Sequence, residues 1–242
     1  MPPALAWRLG RAAREEREQE LFGRLYREFL APGDLCFDIG ANLGNRTRCF
    51  RQLGCEVVAV EPQAKCFRRL AHVFGNDQKI RLVQAAVGRN PGHATLRVSA
   101  DHVLSTLSQA FIDGTTESGR FASARWDRTE DVELITLDQL IAEHGMARFI
   151  KIDVEGHEAE VLGGLSRAVP ALSLEWTPEL SENSRQCLLH LAGLGDYEYN
   201  LSWGESMRFS RPQWRSLDSM LVVIDEFAGE AQLFGDIYAR LR

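Results

Sequence analysis

A strand–turn–helix junction constrains this chain more than any other feature. Leu35-Cys36-Phe37-Asp38-Ile39 reads as a short buried strand, and Gly40-Ala41-Asn42-Leu43-Gly44-Asn45 leads from it into a helix over 45–53. Small residues there let the backbone turn tightly and approach a ligand closely. The junction opens an alternating series. Glu56-Val57-Val58-Ala59-Val60 is a second strand, 63–74 a helix with Phe67, Leu70, Ala71 and Phe74 on one face, and Ile80-Arg81-Leu82-Val83-Gln84 a third strand. Short apolar runs separated by helices predict an α/β fold with a parallel sheet, right-handed crossovers and helices on both faces.

The flanks are read in the same way. Residues 4 to about 30 predict a helix, with Leu5 and Leu9, then Leu21, Leu25 and Phe29, at fourfold spacing, and a solvated face carrying Arg14 with Glu18 and Glu20 with Arg24. Pro32-Gly33-Asp34 ends it, so 1–32 is expected to be a helical extension and 33–242 the main domain. His93–Val98 and Val132–Ile135 are expected strands around a polar stretch at 99–131, long enough to be a lid or insertion. Thr136 and Gln139 fit a capping box for a helix running to about Gly145. A strand at Phe149–Asp153, a helix at 157–165, a strand at Ala171–Trp176 and a helix at 179–193 follow. The end is read as strands at 197–203 and 219–225 and a short C-terminal helix.

Composition narrows the partners. The net charge of −6 disfavours nucleic acid, because phosphate binding needs clustered cations. No apolar run reaches the ~20 residues that span a bilayer. The N-terminal stretch lacks the unbroken apolar core of a signal peptide, and Glu15, Glu16, Glu18 and Glu20 do not suit a transit peptide. Cys36, Cys49, Cys55, Cys66 and Cys187 form no CxxC pair, which points to reduced thiols and a cytoplasmic protein.

Two acids give the junction its chemistry. Asp38 precedes the glycines and Glu61 closes the second strand, where an acid accepts both hydroxyls of a ribose. The helix starting near Asn45 directs free N–H groups and the positive end of its dipole toward a small anion such as a carboxylate. Gly40-x-x-x-Gly44 departs from the dinucleotide pattern G-x-G-x-x-G, and Asp38 at the loop mouth would repel a pyrophosphate. S-adenosylmethionine, with a ribose, cationic ammonium and sulfonium and a small carboxylate, suits the site better. A nicotinamide oxidoreductase and a non-catalytic cofactor-binding assembly protein are the rival readings.

Asp38-Ile-Gly-Ala-Asn-Leu-Gly, Val60-Glu61-Pro62, Thr136-Leu137-Asp138 and Lys151-Ile-Asp-Val-Glu-Gly-His-Glu158 together resemble the FkbM family of S-adenosylmethionine-dependent methyltransferases, over about residues 35–177. The resemblance implies a Rossmann-like class I methyltransferase sheet of seven strands with an antiparallel last strand, and methylation of a hydroxyl oxygen. It implies that Asp38, Gly40, Asn42 and Gly44, with Asn45 beside them, line the methionine part of the donor. Glu61 would hold the ribose, and Ala85 and Ala86 would border the adenine. Ser105-Thr106-Leu107-Ser108 stands where the family often has a Ser-rich stretch.

Oxygen methylation needs a proton acceptor within hydrogen-bond reach. Asp153, ending its strand, is expected to face the methyl group and to serve both donor and acceptor. Glu155 and His157 follow at alternate positions, and His157 is a candidate general base, with Asp153 or bulk water as the alternative proton acceptor. Asp153, Glu155, His157 and Glu175 also offer ligands for a divalent metal, but in no established metal spacing, so none is assigned. The expected acceptor is a hydroxyl of a small molecule, a sugar or a lipid-linked glycan. Oligomeric state is open.

Overall fold

The computed structural model describes residues 3–231 and 233–242, with side chains from Arg14 onward. The expected Leu5 and Leu9 positions therefore lie outside the described side chains. In chain order the elements are α1 (Pro3–Tyr26), β1 (Leu35–Ile39), α2 (Asn45–Gln52), β2 (Glu56–Val60), α3 (Ala64–Phe74), β3 (Ile80–Val83), β4 (Ala86–Val87), β5 (Gly92–Val98), α4 (Gln109–Glu117), β6 (Arg128–Ile135), α5 (Leu137–His144), β7 (Phe149–Ile152), α6 (Glu158–Gly163), β8 (Ala171–Trp176), α7 (Ser181–Leu194), β9 (Tyr197–Trp203), α8 (Leu217–Phe227) and β10 (Gly235–Leu241).

Seven strands form one sheet in the order β3-β2-β1-β7-β8-β10-β9. Its first five are parallel, whereas β10 runs antiparallel to both β8 and β9. Strand order reverses beside β1, where successive crossovers leave in opposite directions and open a crevice at the carboxyl ends of the strands. On one face, Phe37, Ile39, Val58, Ile150, Ile152, Leu172 and Leu174 pack under α5, α6, α7 and α8. On the other, Cys36, Val57, Phe149 and Tyr238 meet Phe22, Leu25 and Tyr26 of α1, Phe50 of α2 and Leu70 of α3. The aromatic rings there pack edge-on and stacked, with Tyr26 4.8 Å from Phe50 and Phe29 stacked on Tyr238 at 5.8 Å. The last turns of the N-terminal helix thus complete this core, although an Arg-rich helix is solvent-facing by default.

A small second sheet, β4-β6-β5, stands beside the first. It delivers the chain into α5, whose capping box is formed as expected: Gln139 N–H donates to Thr136 Oγ1 at 3.1 Å, and Thr136 N–H to Gln139 Oε1 at 2.9 Å. All five cysteines are buried and unpaired. No helix of the described residues is long and apolar enough to cross a membrane.

Two sequence expectations are corrected. Residues 219–225 are helical, within α8, not a strand. Met220 and Ile224 are buried one turn apart while Val222 is 64% exposed, a helical periodicity concealed by a continuous apolar run. The chain end is a strand, not a helix, because Gly235–Leu241 finds hydrogen-bonding edges on both sides, at β8 and β9. The polar 99–131 segment carries secondary structure of its own. It holds a 3₁₀ turn at His102–Leu104 and α4, capped by Ser108, whose hydroxyl accepts from Phe111 N–H at 3.1 Å.

Candidate active site

The chain reverses after β1 with Gly40 at φ 79° and Gly44 at φ 85°, and Asn42 between them at 50°. Two different contacts demand the glycines. A Cβ on Gly40 would fall 1.9 Å from the Asp153 carbonyl oxygen, so the loop lies directly against the end of β7. A Cβ on Gly44 would fall 2.4 Å from the Phe74 ring, so this glycine lets α2 close on α3. The loop borders a cavity of about 250 Å³ at the carboxyl ends of β1, β2 and β7. Asp38, Gly40, Asn42, Asn45, Glu61, Ala86, Asp153, Glu155 and His157 all line it; Gly44 supports it from behind.

The acids in this cavity are held, not loose. Thr47 Oγ1 donates to Asp38 Oδ2 at 2.5 Å across the start of α2. Burial raises the Asp38 pKa, and the Thr47 hydrogen bond opposes the rise. Glu61 receives the backbone N–H of Asn42 on Oε2 and that of Gln63 on Oε1, each at 2.8 Å. Burial pushes Glu61 up to about 7, with those two N–H groups acting against it. Both oxygens keep lone pairs for further donors, since a carboxylate accepts about four hydrogen bonds. The Asn42 amide reaches the His102 carbonyl at 3.4 Å and so ties the loop to the 3₁₀ turn beyond the cavity.

The opposite wall is built from Asp153-Val154-Glu155-Gly156. Glu155 sits at φ 53° and Gly156 at 89°, a left-handed pair that costs backbone strain at the non-glycine residue. Three side chains hold it. Thr106 Oγ1 donates to the Glu155 carbonyl at 2.7 Å. Glu158 Oε1 accepts from Val154 N–H at 3.3 Å and Gly156 N–H at 3.2 Å. Asn183 Nδ2 donates to Glu158 Oε2 at 2.7 Å. A Cβ on Gly156 would meet Leu180 at 2.7 Å and Phe111 at 2.9 Å, so α4 and the turn after β8 clamp this loop. Arg120, 10% exposed, pins that cap through Glu179, with contacts of 2.8 and 3.1 Å.

Asp153, Glu155 and Glu175 each bring one carboxylate oxygen within 4.8 Å of the others. Burial, then its neighbour Glu175, holds Glu155 well above the usual carboxylate range; burial, then Asp153, does the same for Glu175. His157 is not in this group. It stands at the N-cap position of α6 without a side-chain capping hydrogen bond, a Cβ on Gly88 would lie 3.7 Å from its Nε2, and burial lowers its pKa. Lys151, buried mid-strand, bridges Asp153 at 3.0 Å and Asp236 at 3.2 Å. Burial depresses a lysine, but these carboxylates outweigh it and hold Lys151 well above its usual value.

Sequence reasoning missed Asp236, Glu205, Arg46 and His102. Arg46 and Glu205 pair at 2.8 Å on the rim and, with His102, line the cavity. No local pattern marks Asp236, which enters only because β10 inserts beside β8. Ser105 and Thr106 could be found: their hydroxyls fasten Gln63 at 2.5 Å and the Glu155 carbonyl. Among the late aromatics, Trp176, Tyr197 and Tyr199 are buried in the core and Trp203 packs on Trp176 at 5.7 Å.

Solved structures similar to this fold include a precorrin-6Y C5,15-methyltransferase from Geobacter metallireducens, at 11% identity and TM-score 0.47, covering 93% of this chain and 86% of that one. The C-terminal domain of the Rhodobacter capsulatus precorrin-6Y C5,15-methyltransferase gives 12% and 0.42, over 90% and 85%. An rRNA methylase from Streptococcus thermophilus gives 10% and 0.40, over 93% and 94%. No curated protein matches the sequence. The methyltransferase FkbM domain matches residues 38–201, from the acid before the glycine loop to the strand paired with β10, and includes both walls of the cavity. The chain belongs to the FkbM methyltransferase family.

Proposed function

We propose that this methyltransferase uses S-adenosylmethionine to methylate a hydroxyl oxygen of a small-molecule, sugar or lipid-linked acceptor. The observation that carries the donor is Glu61, with both carboxylate oxygens fixed by backbone N–H groups at the end of β2 and facing the cavity. Glu61 is assigned the ribose hydroxyls. Asp38, Gly40, Asn42 and Asn45 are assigned the methionine end, with the N-terminus of α2 suited to its carboxylate. Ala86 and Ala85 are assigned the adenine border. The residues present fit the donor: acids stand where its cations and ribose would lie, and backbone stands where bulk is excluded.

When bound, the donor supplies an electrophilic methyl carbon. The chain then has to hold the acceptor oxygen in line with it, which shortens the search for a reactive geometry. Asp153 is assigned proton acceptance, because it lines the cavity at the end of β7 and its carboxylate remains 39% exposed. Glu155 and Glu175 beside it are assigned contacts to the acceptor. His157 lies with β4 rather than with this carboxylate group, and is assigned to the cavity wall. Lys151 already supplies positive charge beside Asp153, so the reading is metal-independent. The buried thiols favour the cytoplasm.

Titration calorimetry tests the donor. S-adenosylhomocysteine should bind with one site per chain and NAD should give no heat. Binding of NAD alone overturns the reading. Labelled methyl transfer to a panel of hydroxyl and amine acceptors tests the oxygen assignment.

A further inference from the structure

Lys151 occupies the middle of β7 with only 2% of its side chain exposed. Its Nζ donates to Asp153 Oδ2 at 3.0 Å and to Asp236 Oδ1 at 3.2 Å. Asp236 stands two strands away, on β10, and is itself buried. The register explains the reach. Lys151 is opposite Ser173 on β8, Ser173 is opposite Tyr238, and Glu175 is opposite Asp236. Lys151 therefore crosses β8 past a small side chain, whose Oγ is buried without a hydrogen-bond partner.

The three groups differ in exposure. Asp236 is enclosed away from the cavity, whereas Lys151, though buried, and the more exposed Asp153 both line it. The lysine takes one oxygen of Asp153 and, among the described residues, no hydrogen bond engages the other. Two carboxylates and one ammonium leave the group one negative charge, and low surrounding polarity makes that charge felt farther than in water. S-adenosylmethionine and S-adenosylhomocysteine differ at sulfur by one positive charge and a methyl group. A fixed negative group beside that sulfur favours the charged donor and releases the neutral product.

We propose that Lys151 and Asp236 are positioning residues that orient Asp153 toward the donor sulfur and set the preference for S-adenosylmethionine over S-adenosylhomocysteine. The proposal rests on the donor reading above. Its distinct content is the role of Asp236, which does not border the cavity.

Calorimetry of the full chain with both nucleosides tests it. Asp236→Asn should weaken S-adenosylmethionine at least threefold and change S-adenosylhomocysteine less than twofold. Asp236→Glu, which keeps the charge, should restore the wild-type ratio. Equal weakening of the two nucleosides, an unchanged ratio, or an Asp236→Glu protein as impaired as Asp236→Asn overturns the proposal. Should Asp236→Asn fail to fold, the wild type still decides. In ¹⁵N-lysine-labelled protein the Lys151 Nζ resonance should move with S-adenosylmethionine and much less with S-adenosylhomocysteine, and equal movement overturns the proposal. A wild type that binds neither nucleoside overturns the donor reading itself.

Discussion

The two walls of the cavity are made of different materials. The wall at β1 and β2 is backbone: glycines, N–H groups and one helix start, all within residues 38–63 and organised around two acids. The wall at β7 is side-chain charge, drawn from residues as far apart as Thr106, Lys151 and Glu155, held over a strained turn and backed by Glu175 and Asp236 from outside the cavity. Backbone geometry tolerates little variation and suits a ligand that never changes. A wall of side chains can be rebuilt without moving the sheet, and suits the partner that differs between enzymes.

This contrast can be broken by substitution. The largest effect is expected at Asp153→Asn, which should lower methyl transfer about 10²–10⁴-fold if Asp153 accepts the proton, with S-adenosylhomocysteine affinity nearly kept. His157→Ala should cost less than Asp153→Asn; a larger loss at His157 would return the base to that residue. Lys151→Met leaves buried Asp236 and part-exposed Asp153 without their cation and should destabilise the fold by about 3 kcal/mol, read by urea unfolding.

On the backbone wall, Gly40→Ala should destabilise by about 2–4 kcal/mol, combining left-handed strain with collision against the Asp153 carbonyl. Gly33→Ala, at φ 93° with nothing within 4 Å, isolates the strain and should cost about 1–2 kcal/mol. Equal costs at the two glycines would remove the close approach from the account. Glu61→Ala should weaken S-adenosylhomocysteine by one or two hydrogen bonds, each worth about 0.5–1.5 kcal/mol.

The smallest effect is a pH trend of opposite sign in two measurements. Glu61 is raised from 4.5 to about 7 by burial. A raised acid contributes stability that is complete below the unfolded value and is lost as pH rises through the folded one. Its part of apoprotein stability therefore falls between pH 4.5 and about 7. Ribose hydroxyls need the ionised carboxylate, so affinity for the nucleoside should fall as pH drops through about 7, by up to tenfold per unit. Glu61→Gln should flatten the affinity profile, and a profile unchanged by that substitution removes Glu61 from the donor site.

The backbone wall was legible because its signals are local. Asp38, Gly40 and Asn42 announce a turn within a few residues, and Glu61 ends an apolar run that reads as a strand by itself. The capping box at Thr136 is equally short in range. The far wall was legible only in part. Asp153 and Glu155 could be picked out from the segment beginning at Lys151, but the closeness of Glu175 to them depends on the pairing of β7 with β8. The helix within 99–131 was hidden by its polar composition, although Ser108 and Phe111 carry its cap.

By itself the sequence determined the alternation of strands and helices, the glycine turn and the acids that meet it, since each follows from periodicity, φ preference or capping over a few residues. Only the tertiary structure decided the direction and partners of the last strand. The apolar run at 220–224 fits a helix or a strand, and a strand at the chain end is stable only where neighbours offer free edges. That decision brought Asp236 to Lys151, because a buried charge finds its partner through long-range pairing, which no local pattern encodes.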